Sequence, residues 1–130
     1  MSILYNKMER KHDGGQTWHP VVKSTGLVKE KEFAKLLAKG TVLKPKEIEV
    51  FMSQISNLIT DLLLNGNTVQ FANLGSFRTT VKTEASNRED EVNSAKIKKV
   101  TVRFTESAEL KNTMSEAKFV DVASLAKKQK

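Results

Sequence analysis

The sequence contains no cysteine, which excludes disulfide bonds, thiolate metal sites and cysteine nucleophiles. No apolar run reaches the ~18 residues that a membrane-spanning helix needs, and the short apolar stretch at the N-terminus does not predict a signal peptide. Aromatic residues make up only 6% of the chain, so any core is expected to be mainly aliphatic. Without a predicted span or signal peptide, a cytoplasmic protein is the default expectation. The length of 130 residues predicts one domain with appendages, whose modest core would gain from a dimer partner.

Positive charge is what the chain has in excess. It carries 22 Lys and Arg residues against 15 Asp and Glu residues, which gives a formal net charge of +7. Such an excess favours polyanion partners, through attraction to phosphates and release of their counterions. Residues 67–104 hold seven basic and four acidic residues, the largest local excess among the sections of the chain. This section is therefore the first candidate for a nucleic-acid contact.

The first half of the chain predicts a hairpin followed by two helices. Residues 3–11 and 17–22 are interpreted as strands on either side of a Gly-Gly turn. Residues 28–38 predict a short helix, and residues 46–64 a long one whose apolar side chains recur at spacings of three and four. The apolar face of the long helix covers roughly 140°, more than the ~100° stripe of an ordinary surface helix. This width favours a second copy of the chain as its cover, although the hairpin or the C-terminal segment of a monomer could also lie there.

The second half predicts a small sheet. A strand at residues 68–71 is followed by a turn, and apolar and polar side chains then alternate with a period of two in residues 77–82 and again in residues 99–104. Residues 83–96 between these strands have almost no apolar content. Thr105 or Ser107 can cap a final helix that ends near residue 114.

Patterns of common catalytic and metal sites are missing. His12 and His19 are the only histidines, and no cysteine accompanies them as a zinc ligand. No nucleophile–base arrangement, phosphate-binding glycine loop or helical histidine pair occurs. Trp18, the only tryptophan, is expected to pack within the N-terminal hairpin. We therefore expect no enzyme, no catalytic residue, no metal, no cofactor and no small-molecule substrate.

The stretch Phe71-Ala-Asn-Leu-Gly-Ser-Phe77, between the long helix and the polar hairpin, carries a family resemblance. It follows Leu62-Leu-Leu-Asn-Gly-Asn-Thr-Val-Gln70 and precedes Arg103-Phe104 and Ala108-Glu-Leu-Lys111. This order of elements resembles the HU and integration-host-factor family of bacterial histone-like DNA-binding proteins, over roughly residues 27–114. The resemblance implies an α+β fold, in which a helical dimer base carries a three-stranded antiparallel sheet and an extended β-hairpin arm.

The resemblance also implies a division of the chain and a function. Residues 1–24 would be an N-terminal β extension, residues 25–114 an HU-like DNA-binding domain and residues 115–130 a C-terminal tail. The implied function is that of a nucleoid-associated protein, which binds double-stranded DNA as a homodimer with little sequence preference in the bacterial cytoplasm. The alternative is an HU-fold scaffold with weak or no affinity for DNA. RNA binding shares the charge argument but lacks an aromatic stacking platform.

Two sets of site residues follow as expectations. The candidate DNA contacts have cationic or amide side chains on the hairpin or the final helix: Arg78, Lys82, Asn87, Arg88, Lys96, Lys98, Lys99, Arg103 and Lys111. The candidate dimer contacts are apolar residues of the long helix and the first hairpin strand: Phe51, Ile55, Leu58, Leu62 and Phe77. The arm tip, Ser86-Asn-Arg-Glu-Asp-Glu-Val92, departs from the family because it has three consecutive acids and no proline. Whether DNA is kinked or only coated therefore stays open.

Overall fold

The computed structural model describes the backbone of residues 2–128 and the side chains of residues 2–125. The protein is a mixed α+β chain that divides by its internal contacts into two compact units. A terminal unit combines Met1–Lys29 with Thr113–Lys130, and a central unit consists of Glu30–Asn112. The expected extension, residues 1–24, and the expected tail, from residue 115 onwards, both fall within the terminal unit of this division. The last two residues of the expected tail lie outside the described part of the chain.

The terminal unit is built on the predicted N-terminal hairpin. Strand β1 (Ile3–His12) pairs with strand β2 (Gly15–Val22) in antiparallel fashion. A third strand from the other end of the chain, β6 (Phe119–Asp121), lies parallel to the start of β1 and leads into helix α4 (Val122–Lys128). Parallel backbone pairing over three residues and an ion pair between Lys7 and Asp121 at 3.3 Å thus join segments that lie far apart in the sequence.

Pro20 lies inside β2 without breaking the hairpin. The Lys23 N–H donates to the Leu4 carbonyl oxygen at 2.8 Å, and the strand register then turns the N–H groups of Val21 and His19 towards β1. The backbone of Pro20 faces the free edge of the sheet, where an N–H would have no strand to donate to, so its absence removes no hydrogen bond between the strands. A proline at that edge also interrupts the row of donors that another strand could pair with.

Trp18 does not have the packing role that the sequence suggests. Its side chain is 63% exposed and lines an open groove of about 610 Å³ together with Tyr5, Pro20 and Phe119. The reason is topological, because β2 is an edge strand and the residue opposite Trp18 is Glu9. Trp18 therefore has a neighbouring strand on only one side, and side chains of β1 and β6 leave much of its indole ring exposed.

The central unit begins with two packed helices, α1 (Glu30–Ala38) and α2 (Pro45–Leu64), close to the predicted bounds. Proline at the first position of α2 is harmless because that N–H has no partner within the helix. The helix ends at a left-handed glycine, Gly66 with φ 83°, and the Asn67 N–H donates back to the Leu62 carbonyl.

Strands β3 (Val69–Phe71), β4 (Gly75–Thr83) and β5 (Ile97–Glu106) form the antiparallel sheet of the central unit, in the order β3-β4-β5. The short helix α3 (Ala108–Met114) follows. Its cap is Ser107, whose hydroxyl accepts from the Leu110 N–H at 3.0 Å. The expected three-stranded sheet and its flanking helices are confirmed.

The paired part of the expected arm ends at Thr83 and Ile97. The segment of residues 84–96 contains two 3₁₀ turns, Glu89–Glu91 and Ser94–Lys96, in place of continued strands. Short polar side chains bond their own backbone here, as when the Asn93 side chain accepts from the Ala95 N–H at 2.9 Å. Such local bonds compete with a ladder, so this part of the hairpin is a turn-rich tip rather than a continued ribbon.

Gly75 allows β4 and β5 to approach each other closely, which gives a first prediction. A Cβ atom at this position would overlap the Thr105 carbonyl oxygen and lie 2.8 Å from the Phe104 ring. We expect Gly75→Ala to lower the free energy of unfolding by about 1–3 kcal/mol, the usual cost of overpacking. Urea denaturation measures the change. In the control Gly40→Ala the nearest atom is 3.8 Å away, so a loss as large as that of Gly75→Ala would refute the steric reason.

Candidate nucleic-acid interface

One face of the β4–β5 hairpin is apolar. Residues directly opposite each other in an antiparallel pair point to the same side, and Phe77 lies opposite Phe104, Val81 opposite Val100. The two phenyl rings are 5.1 Å apart between centroids at an angle of 49°, within the range of favourable aromatic pairs. On the same side the Thr79 hydroxyl donates to the Leu63 carbonyl of α2 at 2.9 Å. The apolar face is thus the side that meets the long helix.

The opposite face of the same hairpin carries positive charge in matched pairs. Arg78 lies opposite Arg103, and Lys82 lies opposite Lys99. We call these four side chains the cationic ladder. Between its two charged steps Thr80 lies opposite Thr101, with the hydroxyl oxygens 2.8 Å apart. The period-two alternation in the sequence predicts that these residues share one face. The register of β4 against β5 shows in addition that like charges lie directly opposite each other.

Like charges opposite each other destabilise a sheet. Within the described residues, none of the ion pairs involves Arg78, Lys82, Lys99 or Arg103. All four side chains are exposed. The cationic ladder therefore costs the isolated protein free energy, and an anion placed over it would recover that cost.

Two other predicted cations already have carboxylate partners. The Lys98 Nζ atom lies 2.9 Å from Glu84, and the Arg88 guanidinium lies 2.9 Å from Asp90. Lys98 is also irregular in the strand, because Lys82 pairs with Lys99 and the next pair joins Thr83 to Ile97. Lys98 is left without a cross-strand partner, as the extra residue of a β-bulge, a feature that often redirects a side chain.

The remaining candidates are spread over other places. Asn87 is exposed in the tip segment, Lys96 is partly buried at the end of the second 3₁₀ turn, and Lys111 is exposed on α3. Hence the hairpin register brings four of the nine candidate residues together as a set. The roles of all nine in binding stay predictions.

Net charge alone does not single out this surface. Counted over the whole sequence, the terminal unit has nine basic and four acidic residues, and the central unit has thirteen basic and eleven acidic residues. The terminal unit thus has the larger excess. What distinguishes the cationic ladder is its arrangement, with four cations on one regular surface that form no ion pair in the described part of the chain.

A second surface of the central unit is an open apolar groove of about 700 Å³ between the helices and the sheet. Ile55 and Phe77, two of the predicted dimer contacts, line it. Sequence periodicity missed other lining residues, which come from several elements: Phe33, Leu37, Phe71, Leu74 and Val102. They could not be found from one helix because the groove exists only after α1, α2 and the sheet have packed.

The other predicted dimer contacts lie along α2. Phe51 and Leu58 are 51% and 59% exposed, and Leu62 is partly buried. Of the side chains that the structure describes, only the apolar Ala34 and Ile48 are buried. A chain of this length can bury many more apolar side chains than these two. Much of the apolar surface of the central unit is therefore exposed in the protomer.

Neither histidine stands at a recognisable reaction centre. His12 accepts weakly from the Gly14 N–H at 3.4 Å, and His19 lies 2.9 Å from the Thr17 hydroxyl within the same strand. Among the described residues no three His, Asp or Glu side chains converge as metal ligands would. Within the same part of the chain, no helix is long and apolar enough to cross a membrane.

A family model matches residues 1–120 and is described as HU-HIG, an HU domain fused to a wHTH, Ig or glycine-rich motif. The chain belongs to this family. The HU-like identity expected from the stretch between Phe71 and Phe77 is thereby confirmed at family level. The match also includes residues 1–26, which the sequence resemblance had left outside, so the N-terminal hairpin is part of the HU-HIG pattern.

Comparison with solved structures also finds a similar fold. One is a candidate bacterial DNA-binding protein from Bacteroides vulgatus ATCC 8482, which superposes with a TM-score of 0.65 at 11% sequence identity. The alignment covers 94% of this chain and 49% of that protein, so the HU-HIG chain spans about half of its length. No curated protein matches the chain.

The like-charge pairs predict an unusual stability change. Arg78→Gln removes the repulsion between Arg78 and Arg103, so we expect the free energy of unfolding to rise by about 0.2–1 kcal/mol at low salt. The gain should shrink towards zero at 1 M salt, where the Debye length is about 3 Å. Thermal unfolding at both salt concentrations measures it. Lys111→Gln removes the same charge from α3 as the control, and an equal gain there would mean that net charge, not pairing, is the cause.

Proposed function

We propose that this HU-like chain is a histone-like, nucleoid-associated protein that binds double-stranded DNA as a homodimer with little sequence specificity. The observation that carries the proposal is the cationic ladder, four unpaired cations held on one face of a regular hairpin. Membership of the HU-HIG family supports it. So does the fold shared with a protein named as a candidate DNA-binding protein. The expected location is the nucleoid of a bacterial cytoplasm, with residues 25–114 as the DNA-binding domain.

The chemistry of the cationic ladder favours phosphates over bases. Arginine and lysine on a ribbon neutralise backbone phosphates, and such contacts position a protein without reading sequence. The side chains suited to base edges, Asn87 and Arg88, lie at the tip, where Arg88 is bound to Asp90. Contacts of this kind discriminate DNA by its width and deformability more than by its bases.

A homodimer accounts for the apolar surface that the protomer leaves open. Phe51, Ile55 and Leu58 recur on α2 at helical spacing, next to the groove under Phe77. A symmetric partner would present the same surface in return, which is the usual form of a dimer interface. It would also bring a second cationic ladder into the same particle.

The alternative is an HU-fold scaffold with weak or no DNA affinity. The acidic run Glu89–Glu91 favours it, because these carboxylates at the tip would repel phosphate. The tip also lacks the base-pair-wedging proline that the resemblance to the HU and integration-host-factor family would imply. DNA bending is therefore a separate part of the proposal, and ring closure of short duplexes tests it independently of binding.

A gel shift on random duplexes of 30–40 base pairs at low salt decides between these functions. We expect binding that falls steeply with salt, since neutralising phosphates releases counterions. Arg78→Ala should weaken all sequences about equally and lower the salt slope by about 0.9 for each phosphate that is no longer neutralised. Lys35→Ala on α1 removes the same charge away from the cationic ladder as the control. A salt slope near zero, or no shift at all, would favour the scaffold.

The homodimer gives a separate prediction. Leu58→Glu would place a charge in the shared apolar surface, where burial without a partner is costly. We expect the variant to be monomeric by light scattering at concentrations at which the unchanged protein is dimeric. The control Asn57→Glu adds the same charge at the neighbouring position, about 100° further around the helix. A stable dimer of Leu58→Glu would show that the copies meet elsewhere.

A further inference from the structure

The carboxylate of Glu84 lies where the cationic surface of the hairpin continues towards the tip. The backbone N–H of Glu84 donates to the Lys96 carbonyl at 2.8 Å. This hydrogen bond holds Glu84 just beyond the last strand pair, Thr83 with Ile97. From there its Oε2 atom reaches the Lys98 Nζ atom at 2.9 Å. Glu84 therefore forms an ion pair with Lys98 on the opposite strand of the hairpin, whereas Asp90 pairs with Arg88, only two residues away in the sequence.

The β-bulge makes this contact possible. Without it, strict alternation would place Lys98 on the same side as Val100, opposite to Lys99. The extra residue shifts the phase of β5, so that Ile97 is paired with Thr83. Lys98 then meets Glu84, which directly follows the strand that carries Lys82 on the cationic face.

We propose that Glu84 is an affinity-limiting residue of the DNA site, an internal carboxylate that takes the place of a phosphate on Lys98. This inference rests on the proposed DNA binding. The carboxylate neutralises a fifth cation next to the four of the cationic ladder. DNA must either displace Glu84 from Lys98 or bind without Lys98, and both lower its affinity.

The size of the effect follows from the exposure of the pair. The two side chains are 58% and 53% exposed, so the ion pair is screened by water and weak. Exposed pairs of this kind contribute at most about 1 kcal/mol, which corresponds to roughly a fivefold change in affinity for each arm. Glu84 thus reduces binding without abolishing it.

The test compares Glu84→Gln with Glu106→Gln in salt-dependent binding to a random duplex. Both variants remove one negative charge from the hairpin, but Glu106 lies opposite Gly75, and within the described residues no ion pair involves it. We expect Glu84→Gln to bind about two- to fivefold more tightly per arm than Glu106→Gln. Its salt slope should steepen by about 0.9 for each lysine set free.

The same substitutions in a Lys98→Gln protein separate the loss of the ion pair from the loss of a negative charge. In Lys98→Gln protein, the additional change Glu84→Gln should give no more than the gain of Glu106→Gln, because there is no lysine left to release. Equal gains from Glu84→Gln and Glu106→Gln, or an advantage of Glu84→Gln that persists without Lys98, would overturn the inference. If the unchanged protein binds no duplex, the proposed function itself fails. Unfolding curves of each variant confirm that the compared proteins are folded.

Discussion

The register of β4 against β5 determines both surfaces of the central unit. Side chains opposite each other share a face, so a slip by one residue would exchange the apolar and the cationic side. The tilted ring pair of Phe77 and Phe104 and the close approach at Gly75 resist such a slip, because only one alignment brings glycine under the Phe104 ring. An aromatic contact on one face thus fixes where Arg78 and Arg103 stand on the other.

This arrangement places opposing demands on the hairpin. The apolar face gains free energy from α2 and from whatever closes the groove, while the cationic face loses it through paired like charges. A polyanion that binds only the folded hairpin would stabilise the fold by mass action. Stability and binding are therefore linked through the same like-charge pairs of the cationic ladder. The repulsion within these pairs in the free protein favours a surface that binds an anionic partner.

Local patterns made much of the fold predictable. The helical spacing in α2 and the alternation around Phe77 and Phe104 each depend on residues close in sequence, and both appear in the structure as expected. The cationic face followed from the same alternation. Ser107 was predictable as a cap because capping is a property of a few adjacent residues.

Features that depend on distant partners were not predictable. The strand Phe119–Asp121 is three residues long and joins β1 through parallel backbone pairing and an ion pair between Lys7 and Asp121, and neither contact leaves a periodic signal in the sequence. The bulge at Lys98 and its ion pair with Glu84 depend on where two strands stop pairing, not on either strand alone. Trp18 was expected to pack because tryptophan is large and apolar, but its position on an edge strand overrides that preference.

In the homodimer that we propose, assembly and DNA binding would be coupled by the geometry of a single hairpin. One protomer offers four unpaired cations, and neutralising a few phosphates yields an affinity that salt readily removes. Two ladders in one particle make the second contact intramolecular, so the affinities multiply in effect rather than add. If the proposed dimer forms over the apolar groove lined by Phe77, covering that groove would also double the number of cations in the particle. For a surface with little means to read bases, this multiplication is the main route to useful affinity.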